Sequence, residues 1–368
     1  MKVLFATPYK CSAGGISQWA GHIVNYYESK GKADCELNVL PMNDVKQGRS
    51  TIGMSLRQRI VYGVQTYSKV LAELSKKLRV EKYDILHIST SASISLIKDL
   101  LMIRTARRHN VKTIVHFHFG RIPNLAKQNN WEWKLLNRVI RKVDVAIVMD
   151  LASYNALKEK GIKNVHLVPN PLATFVEEYV KQNSDIVREE RTVTFVGHVV
   201  KTKGVFELVE ACKEIPNVKL KIIGPVQEDV KVALLNAVQG GEWLNLVGTL
   251  PMEGVLNEML SCSVFALPTY TEGFPNVILE SMACGCPIVT TPVGAIPEML
   301  QIESASPCGF CVEPTSVGQL KEAISYMLLN KAKASELGLL ARERVVKEYT
   351  INVVWPKLVE IWSQCVTN

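Results

Sequence analysis

No apolar run in this chain approaches the ~18 to 20 residues that span a bilayer, and the opening "MKVLFATPYK" has too short an apolar stretch for a secretory signal. The expectation is a protein that stays in the cytosol. Nine cysteines, an odd number without the tight spacing of a disulfide scaffold, leave reduced, buried thiols as the preferred reading. A four-sulfur zinc site from "CGC" and "CGFC" is the alternative, although C-x-C is an unusual first half. Two phosphate-binding fingerprints are missing as well: no G-x-G-x-x-G follows a strand, and no glycine loop ends in G-K-[ST]. Nor is there an Asp-x-Asp to carry a metal-bound diphosphate.

What the chain does have is length, alternation and a lopsided charge. Its 368 residues exceed what one core usually supports, so two domains are expected. Residues 1–176 hold 27 Lys+Arg against 12 Asp+Glu, while residues 177–368 hold 16 against 23. By charge alone the first half suits an anionic surface or ligand, membrane or nucleic acid, or else simply presents a solvated basic face. Strand-like runs ("KVLFAT", "ELNVL", "DILHIS", "KTIVHFH", "DVAIVM", "VHLVP") alternate with amphipathic stretches. The spacing of Ile60, Val64, Tyr67, Leu71, Leu74 and Leu78 predicts a helix between Arg57 and Arg79. After "VPNPLA" the pattern restarts with "TVTFVG", "VKLKIIG", "LNLVG", "SVFALP" and "PIVTT". Two successive β/α series imply two doubly wound parallel sheets, residues 1–175 and 176–368, with the last helix, about 351–366, packing back on the first domain. Ligands of such sheets bind beyond the carboxyl ends of the strands, in a cleft between the domains on this reading.

Most residues that a core does not need fall at those ends. Gly14-Gly15 precede a helix after the first strand, where backbone amides can approach an anion, though an ordinary turn explains them equally well. Lys203-Gly204 open a helix in the second series. In "TEGFPNVILESMACGCP", Glu272 and Glu280 sit in an otherwise apolar segment, where an unpaired buried carboxylate is costly. With Asn276 as N-cap the capping-box position is Leu279, so Glu280 is off register for capping. Carboxylates that accept paired hydrogen bonds from hydroxyls, beside lysine and amides for phosphates, describe a nucleotide-sugar pocket.

The segment "TEGFPNVILESMACGCPIVTTPVGAIPEML" closely resembles the signature of the retaining glycosyltransferases of family 4, with looser matches at "GGIS", "DILHIS", "TIVHFHFG", "VPN", "FVGHVVKTKG" and "LKIIG" in the same order. The resemblance implies an α/β, GT-B fold of two Rossmann-like domains, the first binding acceptor and the second a nucleotide-sugar. It implies that Glu280 holds ribose hydroxyls and Glu272 those of the donor sugar, with main-chain contacts from Gly273, Phe274, Pro275, Asn276 and Val277. Lys203 would neutralise the diphosphate, Gly15 would approach it from the other domain, and His118 would stand beside the transferred sugar, with His116 as the alternative. His198 stands where the family usually has arginine; a histidine is mostly neutral near pH 7, which leaves Lys201 or Arg121 to compensate. The expected activity is metal-independent transfer from a UDP-sugar, or a GDP-sugar, to a glycan or lipid-linked acceptor in cell-surface polysaccharide biosynthesis, without a cofactor. The partners are then the donor, the acceptor and an anionic inner membrane surface met by Arg57, Arg59, Lys69, Lys76, Lys77 and Arg79, not nucleic acid. A nucleotide-sugar epimerase of the same fold and a non-catalytic binding subunit are the rival readings.

Overall fold

The computed structural model describes residues 1–10, 15–42, 56–238 and 241–367, without the side chains of 56–62 and 64. The chain divides into two compact units, Met1–Pro171 with Ile351–Asn368, and Leu172–Thr350.

In the first unit six parallel strands, β1 (Lys2–Thr7), β2 (Glu36–Pro41), β3 (Ile85–Thr90), β4 (Lys112–Phe117), β5 (Val145–Val148) and β6 (Val165–Leu167), form one sheet in the order β2-β1-β3-β4-β5-β6. The inner strands β1, β3, β4 and β5 bury apolar residues on both faces, as a sheet covered by helices requires. The two-residue period sorts the side chains: Leu4, Leu86, Val115 and Phe117 enter one core with the helices Leu56–Val80, Ser95–Arg108 and Trp131–Ile140. Val3, Phe5, Ile85 and Ile114 enter the other, against Gly15–Ser29 and the last helix, Ile351–Thr367. That last helix inserts Trp355 and Trp362, both fully buried.

The second unit repeats the plan with β7 (Thr192–Val196), β8 (Lys219–Ile223), β9 (Leu244–Gly248), β10 (Val264–Leu267), β11 (Ile288–Thr290) and β12 (Phe310–Cys311), again all parallel, in the order β12-β11-β10-β7-β8-β9. Only β12, two residues long, lies outside the runs read from the sequence. Strand order reverses between β1 and β3 in the first unit and between β7 and β10 in the second. Ligands of open α/β sheets bind outside the strand ends at such points.

Candidate functional site

The loops leaving β7 and β10 flank the reversal in the second unit, and they carry Lys203 and Glu272. Lys203 Nζ donates to Glu272 Oε1, with the side chains 26% and 12% exposed. Backbone links fix this pairing. Tyr270 N–H donates to Thr202 O at 2.9 Å, and Thr269 Oγ1 donates to the same carbonyl at 3.3 Å. Gly204 closes the turn at φ +69°, where an added Cβ would stand 2.0 Å from Pro268 O; only glycine lets the two loops lie this close. From the far side Gly294, at φ +58°, packs so that a Cβ would come within 2.5 Å of Glu272 O, and Ala295 N–H donates to Gly273 O at 2.9 Å. The Glu272-Gly273 turn is thus clamped between two strand-end loops. Tyr270 Oη also donates to Glu207 Oε1 at 2.5 Å, a brace not anticipated from the sequence.

Beyond the turn runs the helix Asn276–Ala283. Its N-cap is Pro275, one residue earlier than the Asn276 expected, because Pro275 keeps an extended ψ of 113° while Asn276 is already helical. The register still leaves Glu280 outside any capping box. Phe274 and Pro275 are buried, while Gly273, Asn276 and Val277 are partly exposed. Glu280 is 9% exposed, and its carboxylate has no hydrogen bond or ion pair among the described residues. Burial pushes its pKa up to about 7. Thus Glu272 has found a cation, whereas Glu280 sits desolvated with none among the described residues.

His198 follows β7 and is exposed, as is Lys201. Arg121, the other candidate to replace a missing arginine, lies in the first unit and pairs with Glu132 at 3.0 Å. Cys284, Cys286 and Cys308 are buried and Cys311 is partly so, all as free thiols, with Cys262 Sγ 3.9 Å from Cys286 Sγ. Among the described residues no three of His, Cys, Asp and Glu group as a metal site.

The first unit arms its strand ends differently. His118, partly exposed, leaves β4 and stacks on His116 (ring centroids 4.2 Å apart) and against Trp19 (4.3 Å). His116 is fully buried, and neither ring nitrogen has a hydrogen-bond partner among the described residues. On β3, His87 Nδ1 accepts from Trp362 Nε1 at 2.9 Å. Burial pulls all three imidazoles down: His87 and His118 to about 3, the latter also through His87, and His116 well below the ordinary value. They are neutral groups, suited to accept or donate a hydrogen bond rather than to bind a phosphate by charge. Gly15 begins the helix after β1, exposed, and an added Cβ would meet nothing within 4 Å. On the helix Leu56–Val80, Lys69, Lys76 and Arg79 are exposed and Lys77 partly so; the side chains of Arg57 and Arg59 lie outside the described residues.

Two doubly wound parallel sheets, one presenting two glutamates and a lysine beside its reversal point, define the GT-B class of fold. The structure superposes on sucrose-phosphate synthase from Thermosynechococcus elongatus with a TM-score of 0.78 at 17% identity, covering 99% of both chains. It superposes on HepE of Anabaena, solved with UDP, with a TM-score of 0.71 at 15% identity, covering 99% of this chain and 100% of that one. The model for glycosyl transferases group 1 matches residues 176–344, and that for glycosyltransferase family 4 matches residues 39–174. The chain belongs to this glycosyltransferase family. It is 25% identical over 293 residues to the capsular polysaccharide biosynthesis glycosyltransferase CapM of Staphylococcus aureus, covering 77% of this chain and 66% of that one. Across the first four curated relatives the matched stretch spans between 36% and 66% of the relative's length.

Proposed function

We propose that the chain transfers a sugar from a nucleoside diphosphate sugar, a UDP-sugar in preference to a GDP-sugar, to a hydroxyl of a glycan or lipid-linked acceptor, with retention of anomeric configuration. The observation that carries this reading is Glu280: a buried carboxylate raised to a pKa of about 7, with no partner among the described residues, is stabilised by neighbouring hydroxyls, which a ribose supplies. Lys203 stands in the adjoining loop for the diphosphate. When that anion arrives, the ammonium turns from Glu272 to phosphate, and the freed carboxylate takes the hydroxyls of the donor sugar. Gly273, Phe274, Pro275, Asn276 and Val277 line the approach to the first turn of the helix Asn276–Ala283, whose amides favour negative charge.

Departure of the nucleoside diphosphate builds charge on its oxygens, and Lys203 with these amides disperses it without a metal. Within the first unit, Gly15 leaves an open turn at the start of its helix, and neutral His118 offers a hydrogen bond to a hydroxyl. The first unit takes the acceptor, and its excess of cations suits an anionic membrane surface. No helix among the described residues is long and apolar enough to cross a membrane. The role of CapM in capsular polysaccharide biosynthesis and the UDP bound to HepE support a cell-surface polysaccharide and a UDP-sugar.

Thermal-shift titration with UDP- and GDP-sugars tests the donor, because a ligand bound only by the folded state raises apparent stability. A stabilisation by one class that disappears in Glu280→Ala is expected; no stabilisation by either removes the reading. Turnover undiminished by EDTA is expected for the metal-independent step. The exposed His198 favours a second reading, a binding subunit without turnover, which transfer or hydrolysis lost in Glu272→Ala would exclude.

A further inference from the structure

On the helix Ser95–Arg108 and the residue before it, Ile94, Ile97, Leu101, Arg104 and Arg108 succeed one another at helical spacing, a single stripe. That stripe points outward: Ile94 is 62% exposed, Ile97 53% and Leu101 46%, and both arginines are exposed. Three aliphatic side chains in water at one end and two guanidinium groups at the other make an amphipathic face on a helix whose opposite side is already buried in the core.

The basic end opens on a cleft of about 470 Å³, where Arg107 and, from the neighbouring helix and its end, Arg138 and Lys142 join Arg104 and Arg108. The only carboxylates between residues 94 and 142, Asp99 and Glu132, are buried and paired with Lys98 and Arg121. No other acidic residue lies on these two helices. Arg107, Arg108 and Arg138 lie in last turns, where a cation also complements the helix dipole. The dipole accounts for neither Arg104 nor the exposed aliphatic run.

We propose that this face docks on an anionic lipid bilayer, with Ile94, Ile97 and Leu101 entering the boundary between headgroups and acyl chains and the five cations meeting lipid phosphates. The charge is complementary to such a surface, and an aliphatic stripe beside it is what an interfacial helix presents. A nucleic acid would use the cations and leave the aliphatics in water. The proposal rests on the anionic-membrane reading of the first unit, not on the donor chemistry, and it locates the contact on a helix other than Leu56–Val80.

Sedimentation with phosphatidylcholine vesicles, with and without phosphatidylglycerol and at low and high salt, tests it. The unaltered protein should pellet only with the anionic vesicles and less at high salt. Reversing two charges in R104E/R108E should weaken partitioning about tenfold or more, since each cation near the surface contributes about 1 kcal/mol. L101D should weaken it several-fold, and K213E/K347E, at two exposed lysines of the second unit, should leave it unchanged. An unchanged melting temperature certifies the fold of each variant; should R104E/R108E fail that check, R104Q/R108Q carries the same expectation with a smaller loss. The proposal is overturned if the unaltered protein does not pellet, if neutral vesicles serve as well, or if K213E/K347E weakens binding as much as R104E/R108E. A change in self-association by light scattering in place of vesicle binding also overturns it. Loss of the nucleotide-sugar thermal shift with vesicle binding intact would count against the donor reading alone.

Discussion

At the strand ends beside its reversal point the second unit gathers Lys203, Glu272 and, one helix further on, Glu280. At the strand ends of the first unit stand His118 and His116 against Trp19, with His87 behind them. Both sheets are six-stranded, parallel and helix-covered, so the difference lies in the side chains placed at and just past the strand ends. The second unit keeps charged groups half-buried and fixes them by hydrogen-bonded loops. The first keeps titratable groups neutral by packing aromatic rings around them. On the proposed function, one arrangement suits a charged donor and the other a hydroxyl that exchanges a hydrogen bond with a neutral ring. The two also respond oppositely to pH, since Glu280 is raised and the histidines are depressed.

The largest expected effect falls on the charged side. Lys203→Ala should lower kcat/KM by about 10² to 10³, the range for removing one preorganised donor to developing negative charge. His118→Asn, which keeps a neutral hydrogen-bonding group, should cost less. Steady-state kinetics on both variants decides the matter; equal losses would erase the division between a charge-handling unit and a neutral one.

Glu280 comes next. Its folded pKa lies above its ordinary value, so the folded state holds a proton that the unfolded state gives up. The stability linked to it is complete below about pH 4.5 and is lost as pH rises through about 7. Glu280→Gln should therefore melt higher than the unaltered protein at pH 8, by up to ~3 kcal/mol, and similarly at pH 4. Donor affinity should fall in the same variant. A ligand whose hydroxyls stabilise the carboxylate must also expel its proton, so donor binding to the unaltered protein should weaken as pH drops below 7. Flat calorimetric melting profiles for both proteins would count against a desolvated, partnerless carboxylate.

The first unit should show the reverse. The folded state refuses protons at His87 and His118 that the unfolded chain accepts below about pH 6.5, so stability is full above that pH and drains away as pH falls toward about 3. Each contributes roughly 2 kcal/mol of loss by pH 5. Trp19, Trp131, Trp133, Trp355 and Trp362 lie in the first unit and Trp243 in the second, so fluorescence reports mainly on the former. Acid titration should move that signal at a higher pH than far-UV circular dichroism of the whole chain. His116→Leu, which gives up no hydrogen bond, should shift the fluorescence transition toward lower pH.

Much of the architecture was legible in the residues themselves, because eleven of the twelve strands fall on short β-rich runs that alternate with amphipathic stretches. The escape of β12 is physical: two residues carry no period. Glu272, Glu280 and Lys203 stood out because charge in an apolar context needs a reason. The pairing of Lys203 with Glu272 did not, since each was assigned to a different part of the donor and their proximity depends on Gly204 packing under Pro268. Local sequence was silent on the link from Trp362 to His87, which joins residues 275 positions apart. The neutral imidazoles result from that burial, and burial by a distant helix leaves no trace in the residues adjacent to them.

The smallest effect probes how the charged loops are held. Tyr270 Oη donates to Glu207 Oε1, and Glu207 Oε2 is buried without a partner among the described residues. Burial and that carboxylate raise the phenol pKa to about 12, so the hydroxyl stays a donor across the working range. Tyr270→Phe removes one charge-assisted hydrogen bond and leaves an acceptor short, which should cost about 1 to 3 kcal/mol of stability. Glu207→Gln should cost a similar amount, and the double variant Tyr270→Phe with Glu207→Gln should cost less than the two together, a coupling of ~1 kcal/mol in a thermodynamic cycle. Because Tyr270 also ties its backbone to Thr202, the loop should shift rather than detach, raising the donor KM while kcat changes little. Strict additivity would mean that the phenol and carboxylate are neighbours without consequence. The second unit would then hold its site by close backbone packing alone, much as the first holds its histidines by packed rings.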